Sequence, residues 1–168
     1  MPDPTSLALY AAAALLLAVT PGPGLFYVAA RTLAGGRAEG VASSLGTGLG
    51  GLIHVLAGGL GVSALVLASA ELFTALKLVG AVYLVWIGYR TWRSARRDGS
   101  AAVQGGAAPP VGPGRAFREG VLVEALNPKT AAFFLAFVPQ FIAPGAENKA
   151  LAFVLLGTLF NLNAIGWL

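Results

Sequence analysis

The chain is 168 residues long, and 57% of its residues are hydrophobic while only 11% are charged. Soluble domains carry about 25% charged residues and about 45–50% apolar ones, so the composition indicates an integral membrane protein. There is no cysteine, which excludes disulfides and thiolate metal sites. The net charge of +4 comes from arginines clustered between apolar runs, and this pattern is typical of membrane orientation rather than of nucleic-acid binding.

Apolar stretches near the length of about 20 residues that a spanning helix needs follow one another along the chain. They are residues 6–30, 41–68, 73–91, 117–142 and 150–168. Only helices and closed barrels satisfy their backbone hydrogen bonds in lipid. The stretches therefore predict an all-α integral membrane protein with about five transmembrane helices.

The first stretch is interrupted by the sequence TPGPG at 20–24. Proline has no N–H, so Pro21 and Pro23 leave the carbonyls of Leu17 and Val19 without helical partners. In hydrocarbon an unsatisfied carbonyl is costly unless protein or water pairs with it. This break predicts a cavity or a packed polar contact near the middle of the first span.

The second stretch contains the glycine-rich run GTGLGGLIHVLAGGLG. Small residues at such spacings allow close helix contact, which packing within one chain and a homo-oligomer explain equally well. His54 lies in the middle of this stretch. A histidine at membrane depth marks either a hydrogen bond between helices or a proton-coupling group, and both interpretations stay open.

A Gly/Ala/Pro/Ser tract separates the third and fourth stretches and has the composition of a linker. It divides the chain into a first three-span repeat (1–98), a linker (99–116) and a second repeat (117–168) with two spans. Arginines concentrate in or beside the linker and in the connection 31–40: Arg31, Arg37, Arg90, Arg93, Arg96, Arg97, Arg115 and Arg118. By the positive-inside rule the linker is cytoplasmic and the N-terminus lies outside.

The fourth stretch is interrupted by LNPKT at 126–130, where Pro128 frees the carbonyl of Glu124. If the chain is two three-span repeats, this break corresponds to the first one, with inverted orientation because three is odd. Matching breaks in two halves point to a midplane binding site in inverted-repeat transporters. A simple proline kink is the alternative. Lys129 beside the break either extends to the membrane interface or has a role in the site.

The chemistry of two broken helices suits a small zwitterion. Half-helix N-termini carry partial positive charge and suit a carboxylate. Freed carbonyls together with Glu124 suit an ammonium group.

Three stretches together resemble the lysine exporter (LysE/RhtB-type) amino-acid translocator family: TPGPGLFYVAARTLAGGRAEGVASSLGTGLGGLIH, LKLVGAVYLVWIGYRTWR and FREGVLVEALNPKTAAFFLAFVPQFI. The resemblance implies a six-helix fold of two inverted three-helix repeats. It also implies a bacterial inner-membrane carrier that exports amino acids or their derivatives, driven by the proton gradient. By position it assigns the central site to Pro21, Gly22, Pro23, Asn127, Pro128 and Lys129. On physical grounds we add His54 and Glu124 as candidates for proton coupling.

Family members resemble this chain but are longer, with six spans, so we expect the last span to be lacking here. A non-transporting membrane scaffold or assembly subunit, or an inactive truncated transporter fragment, is the alternative function. The sequence has no histidine pair at ligand spacing, no Gly-x-Ser-x-Gly motif and no phosphate loop, so we expect no enzyme, no metal and no cofactor. The expected partners are an amino-acid-like solute and membrane lipid, with no nucleic acid.

Overall fold

The computed structural model describes residues 4–69, 109–143 and 145–167, together with isolated positions between 71 and 89. Its helices are α1 (Pro4–Val19), α2 (Pro23–Ala68), α3 (Pro113–Ala125), α4 (Pro128–Ala132) and α5 (Lys149–Trp167). α4 continues as a π-helical turn (Phe133–Phe137) and a 3₁₀ turn (Val138–Phe141). The described residues contain no strand, which confirms the all-α prediction. Most of the predicted third span and residues 99–108 of the linker lie outside the described residues.

By length and composition, two helices could cross a membrane: Pro23–Gly61 and Lys149–Gly166. A third candidate is the pair Pro113–Ala125 and Pro128–Phe141, which is bent by 42° at its break. This bent pair is the predicted fourth span, and α5 is the predicted fifth. The shorter apolar helix α1 precedes the first break.

The long helix α2 folds back on itself at Gly36, where φ is 67° and ψ is −162°. Residues 24 and 47 would be about 34 Å apart along one straight helix, yet a Cβ at Gly24 would lie 3.9 Å from Thr47 Cγ2. A Cβ at Gly40 would likewise touch Thr32. The two arms of α2, 23–35 and 37–68, therefore form a helical hairpin, whose tight turn replaces the longer connection expected at 31–40.

The second arm of α2 packs with almost no gap against α3. A Cβ at Gly50 would lie 2.5 Å from the Val121 carbonyl oxygen, and one at Gly120 would lie 2.7 Å from the Ser43 carbonyl oxygen. A Cβ at Gly46 would collide with the Phe117 carbonyl. Only glycine allows two backbones to approach this closely. The glycine-rich run thus provides packing within one chain.

An aromatic cluster joins α1, the π-helical turn and α5. The rings of Phe133 and Phe160 stack with centroids 4.1 Å apart, and Tyr10 lies 6.2 Å from Phe133. The buried Tyr10 hydroxyl donates to the Leu156 carbonyl at 2.7 Å. This cluster holds the predicted first, fourth and fifth spans together, so that the breaks of the first and fourth spans lie side by side.

A buried carboxylate ties the hairpin turn to the start of α3. Glu39 is 2% exposed, and its Oε1 accepts hydrogen bonds from the backbone N–H groups of Val111 and Gly112, each at 2.7 Å. Its Oε2 lies 3.6 Å from the guanidinium of Arg31, which also donates to the Pro109 carbonyl at 3.3 Å. The last residues of the linker are thereby fixed against the turn at Gly36.

Candidate functional site

The two helix breaks line the same cavity. The break between α1 and α2 contributes Thr20 and Gly22, and the break between α3 and α4 contributes Asn127. The cavity has a volume of about 50 Å³. A water molecule needs about 10–15 Å³ on this measure, so the space holds a few waters and is too small for an amino acid.

Lys129 reaches from the second break to the first. Its Nζ donates to the carbonyl of Leu17 at 2.7 Å and to the carbonyl of Thr20 at 2.5 Å. The Leu17 carbonyl is the one that Pro21 deprives of its helical partner. Because the C-terminal end of α1 carries partial negative charge, the ammonium is favourable there. Lys129 therefore contacts the backbone of the first span, and its role in a binding site stays a prediction.

Glu124 lies at the other side of the first break. Its Oε2 accepts from Asn127 Nδ2 at 3.1 Å, and its Oε1 accepts from the Thr130 hydroxyl at 2.5 Å. A Cβ at Gly24, in the first turn of α2, would lie 2.5 Å from Oε2. The carboxylate thus faces the N-terminal end of a half-helix, where partial positive charge favours it.

Asn127 and Pro128 start α4 with regular capping. The Asn127 side-chain oxygen accepts from the backbone N–H of Lys129 at 3.0 Å, and Asn127 is only 4% exposed. Pro128 occupies the first helical position, where its missing N–H costs nothing. The cap fixes the direction in which the Lys129 side chain leaves the backbone.

His54 pairs with the Glu124 carbonyl, which lacks its donor from residue 128 but also accepts from the backbone N–H of Asn127 at 3.0 Å. Its Nε2 lies 2.9 Å from the Glu124 carbonyl oxygen, and since a carbonyl only accepts, Nε2 carries the proton. The imidazole stacks on Phe134 with centroids 5.9 Å apart and planes 11° apart. The hydrogen bond between helices is therefore present, while a part in proton coupling stays a prediction.

The structure brings four of the eight predicted site residues together at the cavity. Gly22, Glu124, Asn127 and Lys129 line the cavity. The other predicted residues do not line it: Pro21, Pro23, Pro128 and His54. The prolines remove helical donors from backbone carbonyls. His54 contacts the backbone carbonyl of Glu124 and not the cavity. Whether any of these residues binds a solute stays a prediction.

Four further polar residues line the cavity and were not among the predicted site residues: Thr20, Thr47, Thr130 and Asn161. Asn161 Nδ2 donates to the Gly48 carbonyl at 3.0 Å, which links α5 to α2. The signal that could have found Thr47 and Asn161 is a polar side chain in the middle of an otherwise apolar stretch. Within the described ranges, no group of three His, Asp or Glu side chains is placed to hold a metal ion.

Apolar helices with two paired breaks define an integral membrane protein built around an interrupted pair of spans. The chain belongs to the LysE type translocator family, whose model matches residues 15–168. This confirms the resemblance found in the sequence, and the family points to transport rather than to catalysis.

Several relatives have similar sequences over most of their length. An uncharacterized membrane protein of Pseudomonas aeruginosa is 32% identical over 91% of this chain and 71% of its own. A leucine efflux protein of Enterobacter sp. is 28% identical over 91% of this chain and 71% of its own. An uncharacterized membrane protein of Vibrio cholerae is 31% identical over 93% and 74% of the respective chains. No solved structure matches the chain.

Proposed function

We propose that this protein exports amino acids or small amino-acid derivatives across the bacterial inner membrane, driven by the proton gradient. Membership of a translocator family and similarity to leucine efflux proteins support the export of amino acids. One structural observation carries the proposal furthest. The two helix breaks meet at a single cavity. At the first break, the Lys129 ammonium contacts the C-terminal end of α1, and the Glu124 carboxylate faces the N-terminal end of α2.

The cavity suits a zwitterion with an apolar side chain. Gly24 and Leu25 line it from the first turn of α2, where backbone N–H groups have no intrahelical acceptor and favour a carboxylate. The freed carbonyls at the end of α1, together with Glu124, favour an ammonium group. Phe160 and Ile165 supply an apolar wall for an aliphatic side chain. A leucine-like solute fits this distribution of charge and apolar surface.

Transport requires the site to open, since about 50 Å³ does not hold an amino acid. In repeat-built transporters one half moves against the other around a central site. At the end that we propose to be cytoplasmic, the buried pair Arg31–Glu39 joins the α2 hairpin to α3. Opening this end would separate those contacts. Glu124 and His54 are the proposed proton-coupling groups, because both side chains change charge on protonation.

Leucine efflux from cells preloaded with a leucine-containing dipeptide tests the proposal. We expect cells with this protein to release leucine several-fold faster than cells with empty vector. Changing Pro21 and Pro23 together to Ala restores helical hydrogen bonding across the break and should reduce release to the vector level. Pro113→Ala is the matched control, because Pro113 is an exposed first-turn proline outside the cavity, and release should be unchanged. A protonophore should abolish the accumulation of external leucine against its gradient.

Two results would contradict the proposal. Release equal to vector, with membrane insertion confirmed, rejects export. Undiminished release by the double proline variant places the transported solute away from the first break. A double variant that is more stable than wild type, with no release by either protein, favours the scaffold function.

A further inference from the structure

The Lys129 ammonium has unusual partners for a charged group at the centre of a polar cluster. Its hydrogen bonds go to two backbone carbonyls, Leu17 and Thr20. The ion pairs among the described residues do not include it. The nearby Glu124 carboxylate instead accepts from Asn127 and Thr130. Lys129 is therefore hydrogen-bonded to neutral acceptors of the first span, and the nearby Glu124 carboxylate does not form an ion pair with it.

We propose that Lys129 is a tethered occupant of the solute's ammonium subsite, and that the transported solute displaces it. This inference rests on the proposed function and names the group that competes for its site. A lysine ammonium and the ammonium of a free amino acid are alike in charge and in having three N–H donors. The distance of 2.7 Å to the Leu17 carbonyl is that of a charge-assisted hydrogen bond, and the Thr20 carbonyl accepts from the same ammonium. Any ammonium that reaches these two carbonyls finds the same acceptors.

Exchange of one ammonium for another leaves no carbonyl unpaired. An unpaired carbonyl at membrane depth would make the exchange costly, but the solute's own N–H donors replace those of Lys129. Lys129 has a flexible four-carbon stem that lies against Gly22, where a Cβ would approach Lys129 Cδ to 3.0 Å. Gly22 thus gives the stem room beside the cavity. Withdrawal of the side chain also enlarges a cavity that is otherwise too small for an amino acid.

If the solute displaces Lys129, removing Lys129 changes solute affinity in the opposite sense from what is expected if Lys129 binds the solute directly. If Lys129 must leave before the solute's ammonium can bind, its removal strengthens binding of solutes with a free ammonium group. Solutes whose amine is acylated cannot use the subsite and gain nothing. If Lys129 instead bound the solute's carboxylate, its removal would weaken binding of both kinds of solute.

Calorimetric titration of the full chain in lipid nanodiscs, with L-leucine and with N-acetyl-L-leucine, tests the inference. Lys129→Met keeps the length of the side chain and removes the ammonium. We expect the Kd for leucine to fall about tenfold, the factor that corresponds to about 1.4 kcal/mol, while the Kd for N-acetyl-leucine stays unchanged. Lys149→Met is the matched control, since Lys149 begins α5 and does not line the cavity, and both constants should stay at wild-type values. A Kd for leucine that rises or does not change on Lys129→Met overturns the inference.

A second measurement uses the wild-type protein and so does not depend on the variant folding. Amine-reactive labelling of Lys129 is followed by mass spectrometry and expressed relative to the labelling of Lys149, because leucine's own amine consumes reagent. This relative labelling should become faster when leucine is added, because the displaced Nζ loses its two acceptors. N-acetyl-leucine should leave the rate unchanged. Labelling that slows or stays constant with leucine overturns the inference.

Leucine transport by wild-type proteoliposomes separates the two proposals. Absent transport rejects the proposed function and, with it, the inference. Transport by wild type without tighter leucine binding by Lys129→Met rejects only the displacement of Lys129.

Discussion

At the scale of single residues, the prolines decide which backbone groups need new partners. The freed carbonyls follow from the sequence, because the N–H that proline lacks would have bonded four residues back. The side chains that donate to these carbonyls cannot be predicted from the sequence. Lys129 is 112 residues from Leu17, and His54 is 70 residues from Glu124, so the pairings depend on helix rotation and packing. Capping by Asn127, in contrast, is local and is readable from the Asn-Pro pair.

His54→Phe tests the pairing of His54 with the carbonyl freed by Pro128. Phenylalanine can retain the stacking on Phe134 but removes the donor at 2.9 Å from the Glu124 carbonyl. We expect a loss of about 0.5–1.5 kcal/mol in the free energy of unfolding, the usual net worth of one hydrogen bond, because the Glu124 carbonyl keeps the backbone N–H of Asn127 as a donor. Pro128→Ala is the matched background, because residue 128 begins α4 after the extended Asn127 and a restored N–H there adds no donor to α3, so the same change should cost as much in it.

Denaturant titration of the four proteins in detergent measures this double-mutant cycle. A cost of His54→Phe that falls in the Pro128→Ala background would mean that the N–H of residue 128 reaches the Glu124 carbonyl, and would contradict the cap at Asn127.

At the scale of helices, both breaks were predictable and the hairpin turn was not. The prolines fix where α1 ends and where α4 begins, because each has only one compatible helical position. The turn at Gly36 stands within a charged segment that the sequence presents as an ordinary connection, yet helix continues on both sides of it. The π-helical turn at Phe133–Phe137 has no local signal in an apolar run. Its aromatic contacts with α1 and α5 belong to the tertiary structure.

The tight packing of α2 against α3 predicts the effect of Gly50→Ala. The new methyl group would lie 2.5 Å from the Val121 carbonyl oxygen and 2.9 Å from Glu124 Cβ, and neither atom belongs to a flexible side-chain end. We expect a loss of about 1–3 kcal/mol in the free energy of unfolding from overpacking. Displacement of α3 should also move Glu124 and reduce leucine efflux.

Gly61→Ala is the matched control on the same arm of α2. Among the described residues no atom lies within 4 Å of a Cβ there, and Gly61 is exposed and helical. Replacing this helical glycine by alanine should stabilise the protein by about 0.5–1 kcal/mol. Equal thermal unfolding temperatures for the two variants would contradict the close approach of α2 and α3.

At the scale of the whole molecule, charge divides the described structure into two unlike ends. The end formed by the α2 turn and the start of α3 carries Arg31, Arg37, Arg115 and Arg118. The end between the 3₁₀ turn and α5 carries Glu147 and Lys149. The clustering of arginines is visible in the sequence. From the sequence, however, Arg31 contributes only to the predicted membrane orientation, and no role is predicted for Glu39. Their burial follows from the hairpin, which brings them together and places the residues before α3 on Glu39.

This division predicts the orientation in the membrane, and the absence of cysteine makes the prediction simple to test. Single cysteines at Gly114 and at Gly145 would stand at opposite ends of the bent pair α3–α4, and no described atom lies within 4 Å of a Cβ at either position. Because arginine-rich ends stay in the cytoplasm, a membrane-impermeant maleimide should label Gly145→Cys in intact cells and Gly114→Cys only after lysis. The reverse pattern would place the arginine-rich end outside, and the Arg31–Glu39 contacts would then close the external rather than the cytoplasmic side. This labelling experiment therefore decides on which side of the membrane the Arg31–Glu39 contacts lie.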